Sequence, residues 1–587
     1  MSLKPEFRAF LRNNDIPSES TILEVTESLK SPLNELQKFD IEIQRLCDLL
    51  EAMKIKRQSI QKIIEDHNII LSPVRRLPPD VLHNIFFHCL PTHRNPIMKS
   101  SESPVLLTRI CSSWKAIALS SPRIWSKIHI PLPGDPSFSS GYGTIAEKNG
   151  LSSRRQRFTR LLQLRCDAVR EWLSRSGICP LSLSITYPSH YSAVHDLKDD
   201  DLPHEMFGIL IAFAERWSDV DLSMPKEIYN QLQSNMNPTT FSSLKSLKLN
   251  LYRKFHDSSV DFSPIQLLAA PGLCSITINS IQTTLRMTGN LVQPIWNQLT
   301  HITFASSIAD TYLSVLLRQC PNLVFGHFRV SPSHWPDEPM VDQDDILLPC
   351  LKSLVVNDSG VHETMSMIFN AIKAPALTRL SYQWTLDRGP DDDLPFPFPM
   401  PVIPLLSNST LISDLLLDGD LPPQDVQECL QRGEQVTHLV FGKPPFTNPS
   451  GHIVYPALFD HDVIRPDHFD LKLLSIGSSA VIPLPRLQSL QVYHLSSLTD
   501  QDLLDLITNR LNAFRRGQTT PLKSVKIYFE RRKQKDITDE VSRLSKEAGV
   551  EVKLDLTYAP EGSRFFDRLS PFFGLTSNDC MWSSEVI

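Results

Sequence analysis

The amino-acid sequence predicts an α/β chain in three parts: a coiled-coil-like helix, a small all-α module, and an irregular β/α solenoid with a parallel sheet. Three observations predict it. Apolar residues recur every seven positions in residues 31–71. Short helical patterns rich in Leu, Ile, Phe and Trp crowd residues 72–130. A Leu-x-x-Leu-x-Leu unit then returns at nearly even steps. The predicted divisions are a disordered segment 1–30, the helix 31–71, the module 72–130, a linker 131–165, the repeats 166–557 and a tail 558–587.

Bulk composition sets limits. A chain of 587 residues is too long for one core. Hydrophobic residues make up 41% and charged residues 21%, as in folded soluble proteins. Forty-five prolines against 20 glycines make many reversals rigid. Lys+Arg minus Asp+Glu is 59 − 65 = −6, so no basic excess favours nucleic acid. Ten cysteines are scattered without a CxxC pair, which argues against structural zinc and fits a reducing compartment. The start MSLKPEFRAF has no apolar signal core, and no run reaches the roughly 18–20 apolar residues of a membrane span. The expected location is the cytoplasm and/or nucleus.

For the helix, Ser31-Pro32 reads as its start. One heptad row is Leu36, Ile43, Leu50, Ile64 and Leu71, interrupted by Arg57. The other is Phe39, Leu46, Met53 and Ile60, ending at His67. Nine of these eleven positions are apolar, the seam of a coiled coil, while Glu42, Gln44, Arg45, Glu51, Lys54 and Lys56 lie outside it. Two readings stay open: packing back on its own protein, or self-association or partner-helix pairing through 31–71.

In the module, Pro78-Pro79 stops any through-running helix, and Pro79 with Asp80 suits a first turn. Val81, Leu82, Ile85, Phe86, Cys89 and Leu90 follow at helical spacing. Residues 91–104 break the pattern, which resumes through Ile110, Cys111 and Trp114 and closes with Ile124-Trp125. About 55 residues cannot hide so much apolar surface among themselves, so a protein contact is expected.

Leu77-Pro78, Asp80, Val81-Leu82, Ile85-Phe86, Arg109-Ile110-Cys111, Trp114 and Ile124-Trp125 follow the order and spacing of the F-box, which this tenth of the chain resembles. Asp80 stands where Glu is commoner, and the long first connection resembles F-box proteins of fungal type. The resemblance implies docking on the Skp-type adaptor of a cullin-RING ubiquitin ligase. The residues carried over are Leu77, Pro78, Asp80, Leu82, Ile85, Phe86, Leu90, Ile110, Cys111, Trp114, Ile124 and Trp125. The plain alternative is that Trp114 and Trp125 are core residues of a helical subdomain.

The repeat unit is seen at Trp217/Val220/Leu222, Leu244/Leu247/Leu249, Leu273/Ile276/Ile278, Leu299/Ile302/Phe304, Leu351/Leu354/Val356 and Leu377/Leu380/Tyr382, with a weaker copy from Leu323. Steps from Trp217 to Leu377 are 27, 29, 26, 24, 28 and 26 residues, the period of leucine-rich repeats. Further copies are Ile412/Leu415/Leu417, Val436/Leu439/Phe441, Leu487/Leu490/Val492 and Leu522/Val525/Ile527, at irregular steps of 24, 51 and 35. The usual Asn or Cys ladder of such repeats is missing. Asp310 to Cys320 reads as one helix ended by Pro321, and Thr499 with Asp502 as a helix cap. A helix over 536–549 and a strand over 550–557 should end the array. Between the strand leucines stand Lys248, Thr277, Thr303, Val355, Ser381, Leu416, Val440, Gln491 and Lys526 on the predicted concave side. That mixture suits a protein target and names no small ligand.

No nucleophile elbow, phosphate loop or His-Glu-x-x-His occurs. No catalytic residue, cofactor or metal is expected. The runs 199–201 and 391–393 of Asp read as solvated charge, and His190, His195 and His204 as loop histidines. Residues 530–533 read as an exposed turn. Phe565-Phe566 and Phe572-Phe573 could cap the array or form a contact. The expected function is non-catalytic. The chain would be a substrate-recognition adaptor of an SCF-type ligase in the ubiquitin-conjugation pathway, with the cullin behind its adaptor partner and a protein substrate on the repeats. The alternative is a non-ligase scaffold whose F-box-like helices cap the solenoid. An enzyme on an α/β array lacks a motif.

Overall fold

A computed structural model describes residues 7, 9–11, 16–132, 151–187, 204–234, 236, 241–252, 259–261, 265–279, 284–286, 296–332, 344–359, 362–384, 400–419, 421, 423–442, 446–447, 453–454, 471–476, 482–495, 498–529 and 531–558. The chain divides into two units, 1–85 and 86–587. The architecture is mixed α/β, with a long N-terminal helix and a large parallel sheet.

Helix α1 (Glu19–Leu71) dominates the first unit and runs for 53 residues. Its N-cap is Ser18, whose hydroxyl accepts from the Thr21 N–H. The start therefore lies well before Ser31-Pro32, and much of the segment expected to be disordered is helical. Pro32 sits inside the helix instead of opening it, at the cost of one backbone donor. No residue of α1 is buried, and its heptad leucines and isoleucines are exposed. No helix among the described residues is long and apolar enough to cross a membrane.

In the second unit, fourteen described strands follow one another in chain order in a single sheet, every neighbouring pair parallel. They are β1 (Lys127–Pro131), β2 (Leu181–Thr186), β3 (Trp217–Pro225), β4 (Ser246–Tyr252), β5 (Ser275–Asn279), β6 (His301–Ala309) and β7 (Phe325–Ser331). There follow β8 (Ser353–Asp358), β9 (Arg379–Trp384), β10 (Asp414–Gly419), β11 (His438–Phe441), β12 (Ser489–Leu495), β13 (Ser524–Phe529) and β14 (Lys553–Tyr558). Each unit of the sequence pattern, the weak copy after Leu323 included, is one strand, β3 to β13.

Side chains alternate across a strand, so one row of each repeat faces the core. In β8 the row Leu354, Val356 and Asp358 is buried, while Ser353, Val355 and Asn357 stand on the other, open face. The leading residue of each unit is buried as well, and at Leu273, Leu299, Leu351 and Leu377 its N–H closes a tight turn back to the third residue before it. Helices between the strands present amphipathic faces. In α7 (Asp310–Arg318), Leu313, Leu316 and Leu317 are buried.

The missing Asn ladder has a substitute. At most repeats one carbonyl accepts two successive N–H groups from the next: Lys245 O from Cys274 and Ser275, Cys274 O from Thr300 and His301, Lys352 O from Thr378 and Arg379. The donor residue often adds its own side chain. Thr300 Oγ1 donates to Cys274 O at 3.0 Å, Thr378 Oγ1 to Lys352 O at 3.1 Å and Thr437 Oγ1 to Ser413 O at 3.2 Å. A hydroxyl just after the first leucine thus does what an Asn side chain would do elsewhere.

Two predicted boundaries move. The sheet begins at Lys127 and not after 166, because Ile128 and Ile130 already alternate inward. Residues 151–165 of the expected linker belong to α4 (Leu151–Arg175), whose Val169, Trp172 and Leu173 are buried. The capping box of Thr499 and Asp502 opens α11 (Asp500–Arg515; the intervening helices are α5 His204–Ile211, α6 Lys226–Ser234, α8 His362–Ala371, α9 Val402–Asn408 and α10 Pro423–Arg432). The last helix, α12 (Thr538–Ala548), and strand β14 stand where the sequence placed them. The Asp runs at 199–201 and 391–393, His190, His195 and the C-terminal phenylalanines lie outside the described residues.

The C-terminal end is tied by Asp500, whose carboxylate is fully buried. It accepts from Arg531 Nη2 at 2.9 Å, the N–H groups of Gln534 and Lys535 at 2.8 and 2.7 Å, and Tyr558 Oη at 3.0 Å. Burial pushes this carboxyl up, but Arg531 and the other three donors outweigh burial and leave it below its ordinary value. A lowered folded value means stability that is present above the unfolded value near 4 and is lost as pH falls through the folded one. Asp500→Ala should cost about 3–5 kcal/mol, because Arg531 is left without its buried partner. The loss should begin to shrink in denaturation measured below about pH 4, where the unfolded carboxyl takes up its proton first, and should keep shrinking as pH falls through the lower native value. In β10, a Cβ on Gly419, at φ +114°, would lie 1.8 Å from the Trp384 carbonyl. Gly419→Ala should lower stability by at least about 2 kcal/mol in the same assay.

Candidate partner-binding surfaces

Helix α2 (Pro79–His88) carries two apolar rows at i, i+4 spacing. Leu82 and Phe86, with Leu90 beyond the helix end, are buried; Val81 and Ile85, with Cys89 following, are exposed. Pro78 and Asp80 are exposed and Leu77 is half-buried. The unit boundary falls within this helix, after Ile85.

In the second unit, α3 (Ser112–Leu119) starts from Cys111, whose Sγ accepts from the Trp114 N–H at 3.4 Å. Trp114 is half-buried, its ring 4.9 Å from that of Phe86. Ile110, Leu106 and Leu119 stand out at 52%, 40% and 36% exposure, and Cys111 is exposed too. Four large or reactive apolar groups therefore face outward beside a small sealed core.

Ile124 and Trp125 are each 1% exposed, so neither can meet a partner in this conformation, which corrects the expectation that the whole motif faces outward. The same holds for Leu82, Phe86 and Leu90. Trp125 Nε1 donates to Ala118 O at 2.8 Å, and its ring stands edge-on to Trp172 of α4 at 4.9 Å, with the Arg175 guanidinium 4.7 Å away. Trp172 Nε1 donates to Lys127 O at 3.1 Å. This pair of tryptophans welds the helical module to the first strand and the first crossover helix.

The insertion at 91–104 has a structural part. Arg94 grips Glu102 through two bonds of 2.9 and 2.6 Å, and Glu102 Oε1 accepts from the Ile97 N–H. Held so, the segment lies along β1: Ile97 bridges His129, and Pro96 O accepts from the His129 N–H at 2.8 Å. Asn95 reaches Ser182 Oγ at 3.0 Å and Ser184 Oγ at 3.4 Å on β2.

On the open face, the sequence-derived central residues share one column. Lys248, Thr277 and Thr303 lead through His327 to Val355, Ser381, Leu416 and Val440, then to Gln491 and Lys526. Its middle is apolar and its ends are polar or charged. At the N-terminal end the register lines up His129, Ser184 and Asp221, residue types of a hydrolytic triad scattered too widely for a motif search. The geometry does not suit that chemistry. His129 Nδ1 meets Ser184 Oγ at 2.9 Å, but the serine stands between the other two, and Asp221 is two strand spacings, roughly 9–10 Å, from the imidazole it would have to orient. Burial holds His129 below its ordinary value, with Arg94 adding to it, so the ring is neutral near pH 7. Among the described residues no group of three His, Cys, Asp or Glu could hold a metal ion. Arg531 of the 530–533 run is the Asp500 partner and is not part of an exposed turn.

Sequence reasoning missed Asn95, Glu102 and Trp172. The Arg94–Glu102 spacing gave no signal, whereas Trp172 among Val169 and Leu173 on one helical face was a readable one.

No known family's sequence profile matches the chain, and no curated protein is significantly similar. Among solved structures, a crystal structure of a Bacteroides fragilis protein from a structural genomics programme aligns over 49% of this chain and 66% of its own, at 14% identity and a TM-score of 0.24.

If Trp125 is a support and Ile110 a surface group, truncation should separate them. Trp125→Ala should destabilise by about 3–5 kcal/mol, and Ile110→Ala should stay within about 0.5 kcal/mol, both read by denaturant unfolding.

Proposed function

We propose that the chain is a non-catalytic substrate-recognition adaptor of an SCF-type cullin-RING ligase. The module at 72–130 docks the Skp-type adaptor, and the open face of the repeats binds a target protein. The observation that carries this reading is that Ile110 and Cys111, at motif positions of the second unit, are exposed while Ile124 and Trp125 are buried; Pro78, Asp80 and Ile85 of the first unit are exposed at motif positions as well. Exposed aliphatic groups of this kind are what a partner covers. The column of Val355, Leu416 and Val440 flanked by polar residues supports a protein target, since such a mixture suits an interface core with a wetter rim. No chemistry of its own is needed: binding raises the effective concentration of a target lysine near an activated ubiquitin. A cytoplasmic or nuclear location goes with this reading.

A second reading is favoured by the Trp125–Trp172 pair and the Ile97–His129 bridge, which build residues 94–130 into the sheet's first edge. The chain would then be a non-ligase repeat scaffold whose helical module is a cap. Deleting the module cannot separate the two, because β1 and its supports would go with it under either reading. Surface charge can. Ile85→Asp together with Ile110→Asp should leave the circular dichroism and unfolding curve of the full chain nearly unchanged. On the adaptor reading the pair should weaken binding to a purified Skp-type adaptor by at least about thirtyfold, the effect of losing one hot spot of 2 kcal/mol or more. No binding by the unaltered chain would favour the cap.

A further inference from the structure

Helix α1 leaves a whole seam uncovered, and its sequence says what fits there. The heptad seen from Leu36 onward continues backward through the helix's real start: Leu29 and Ile22 prolong one row, and the other passes through Pro32 to Val25. No residue of the prolonged seam is buried: Ile22 is 50%, Leu36 56% and Leu50 56% exposed, and Val25 and Pro32 are half-buried.

Three arrangements with a second copy can be compared through their charges. In a parallel, in-register pair Arg57 would face Arg57 across the core, and Glu35 would flank Asp40 of the other copy. Both contacts repel. In an antiparallel pair each core residue meets the one equally far from the helix midpoint on the other copy. With the two-fold at Asp48, Ile43 meets Met53, Leu46 meets Leu50 and Leu36 meets Ile60. The odd residue is absorbed, because Arg57 meets the ring of Phe39, a pairing that attracts. At the flanks Asp40 meets Lys54 and Glu42 meets Lys56, each twice by symmetry, and no like charges meet. Sliding one helix by a heptad leaves just Glu35 against Lys56 in one direction, and no opposite pair in the other. The Asp48-centred register also uses the helix fully: Val25 meets Leu71 at both ends, a seam of roughly 70 Å.

We infer that α1 pairs with α1 of a second copy of this chain as an antiparallel coiled coil centred on Asp48. The existing Arg45–Glu42 and Lys54–Glu51 contacts are exposed pairs within one helix turn and yield cheaply to the new ones. The same register brings Cys47, which is exposed, opposite Cys47 of the second copy. The inference is independent of the ligase reading, since a chain that binds no adaptor could still dimerise.

The test is light scattering on the full chain with charge reversals. The unaltered chain should be dimeric. Glu42→Lys should weaken the dimer at least about tenfold, as should Lys56→Glu, because each sets like charges face to face twice. The double variant, Glu42→Lys with Lys56→Glu, should restore it. A short thiol-to-thiol crosslinker should join Cys47 to Cys47 in the dimer, identified by peptide mass spectrometry and lost in Cys47→Ser. A monomeric unaltered chain, single reversals without effect, or a double variant as weak as the singles would overturn the inference.

Discussion

The structure of the second unit depends on a single recurring arrangement: a carbonyl at the end of one repeat's turn that receives two consecutive N–H groups from the next. It fixes the stagger between neighbouring repeats before any side chain is considered. Once the stagger is fixed, leucine falls on leucine and the core becomes a continuous row. No repeat could bury both faces of its strand alone, so the ladder and the hydrophobic row require each other. Thr300, Thr378 and Thr437 reinforce the ladder with hydroxyls, small enough to follow the tight turn.

Much of this was legible because two periods coincide. Strand alternation places leucines two apart, and the nearly even step repeats the unit, so β3 to β13 could be placed from residues alone. The exceptions have physical causes. In β1 the unit is present as Trp125, Ile128 and Ile130, but Trp125 also closes the helical module's motif, so the strand hid within that module. Residues 151–165 hold five arginines and resemble a linker, though they form the first part of a helix whose buried residues Val169, Trp172 and Leu173 come later. Pro32 read as a helix start because proline suits a first turn; here a 53-residue helix tolerates it inside.

The candidate site was legible in outline and not in its faces. Spacing identifies which residues belong to the module's helices, but adjacent rows on one helix, Val81/Ile85 and Leu82/Phe86, are equally apolar. Which row turns inward depends on what lies beneath, and Trp114, whose ring lies 4.9 Å from that of Phe86, comes from a distant segment. The motif therefore mixes two kinds of residue. Trp125 and Phe86 are buried, whereas Ile85 and Ile110 are exposed. The column on the open face was easier, since alternation alone assigns each residue to a side.

The clasp of Arg94 on Glu102 has a consequence for the sheet as a whole. A parallel stack of strands is open-ended, and its outermost backbone is a ready template for another chain. By pinning a polar segment against β1 through the Pro96 carbonyl and the Ile97 bridge, the insertion covers that rim without adding a new regular strand. It stops the growth of the array at its beginning and so guards a long repeat protein against stacking rim to rim into fibres.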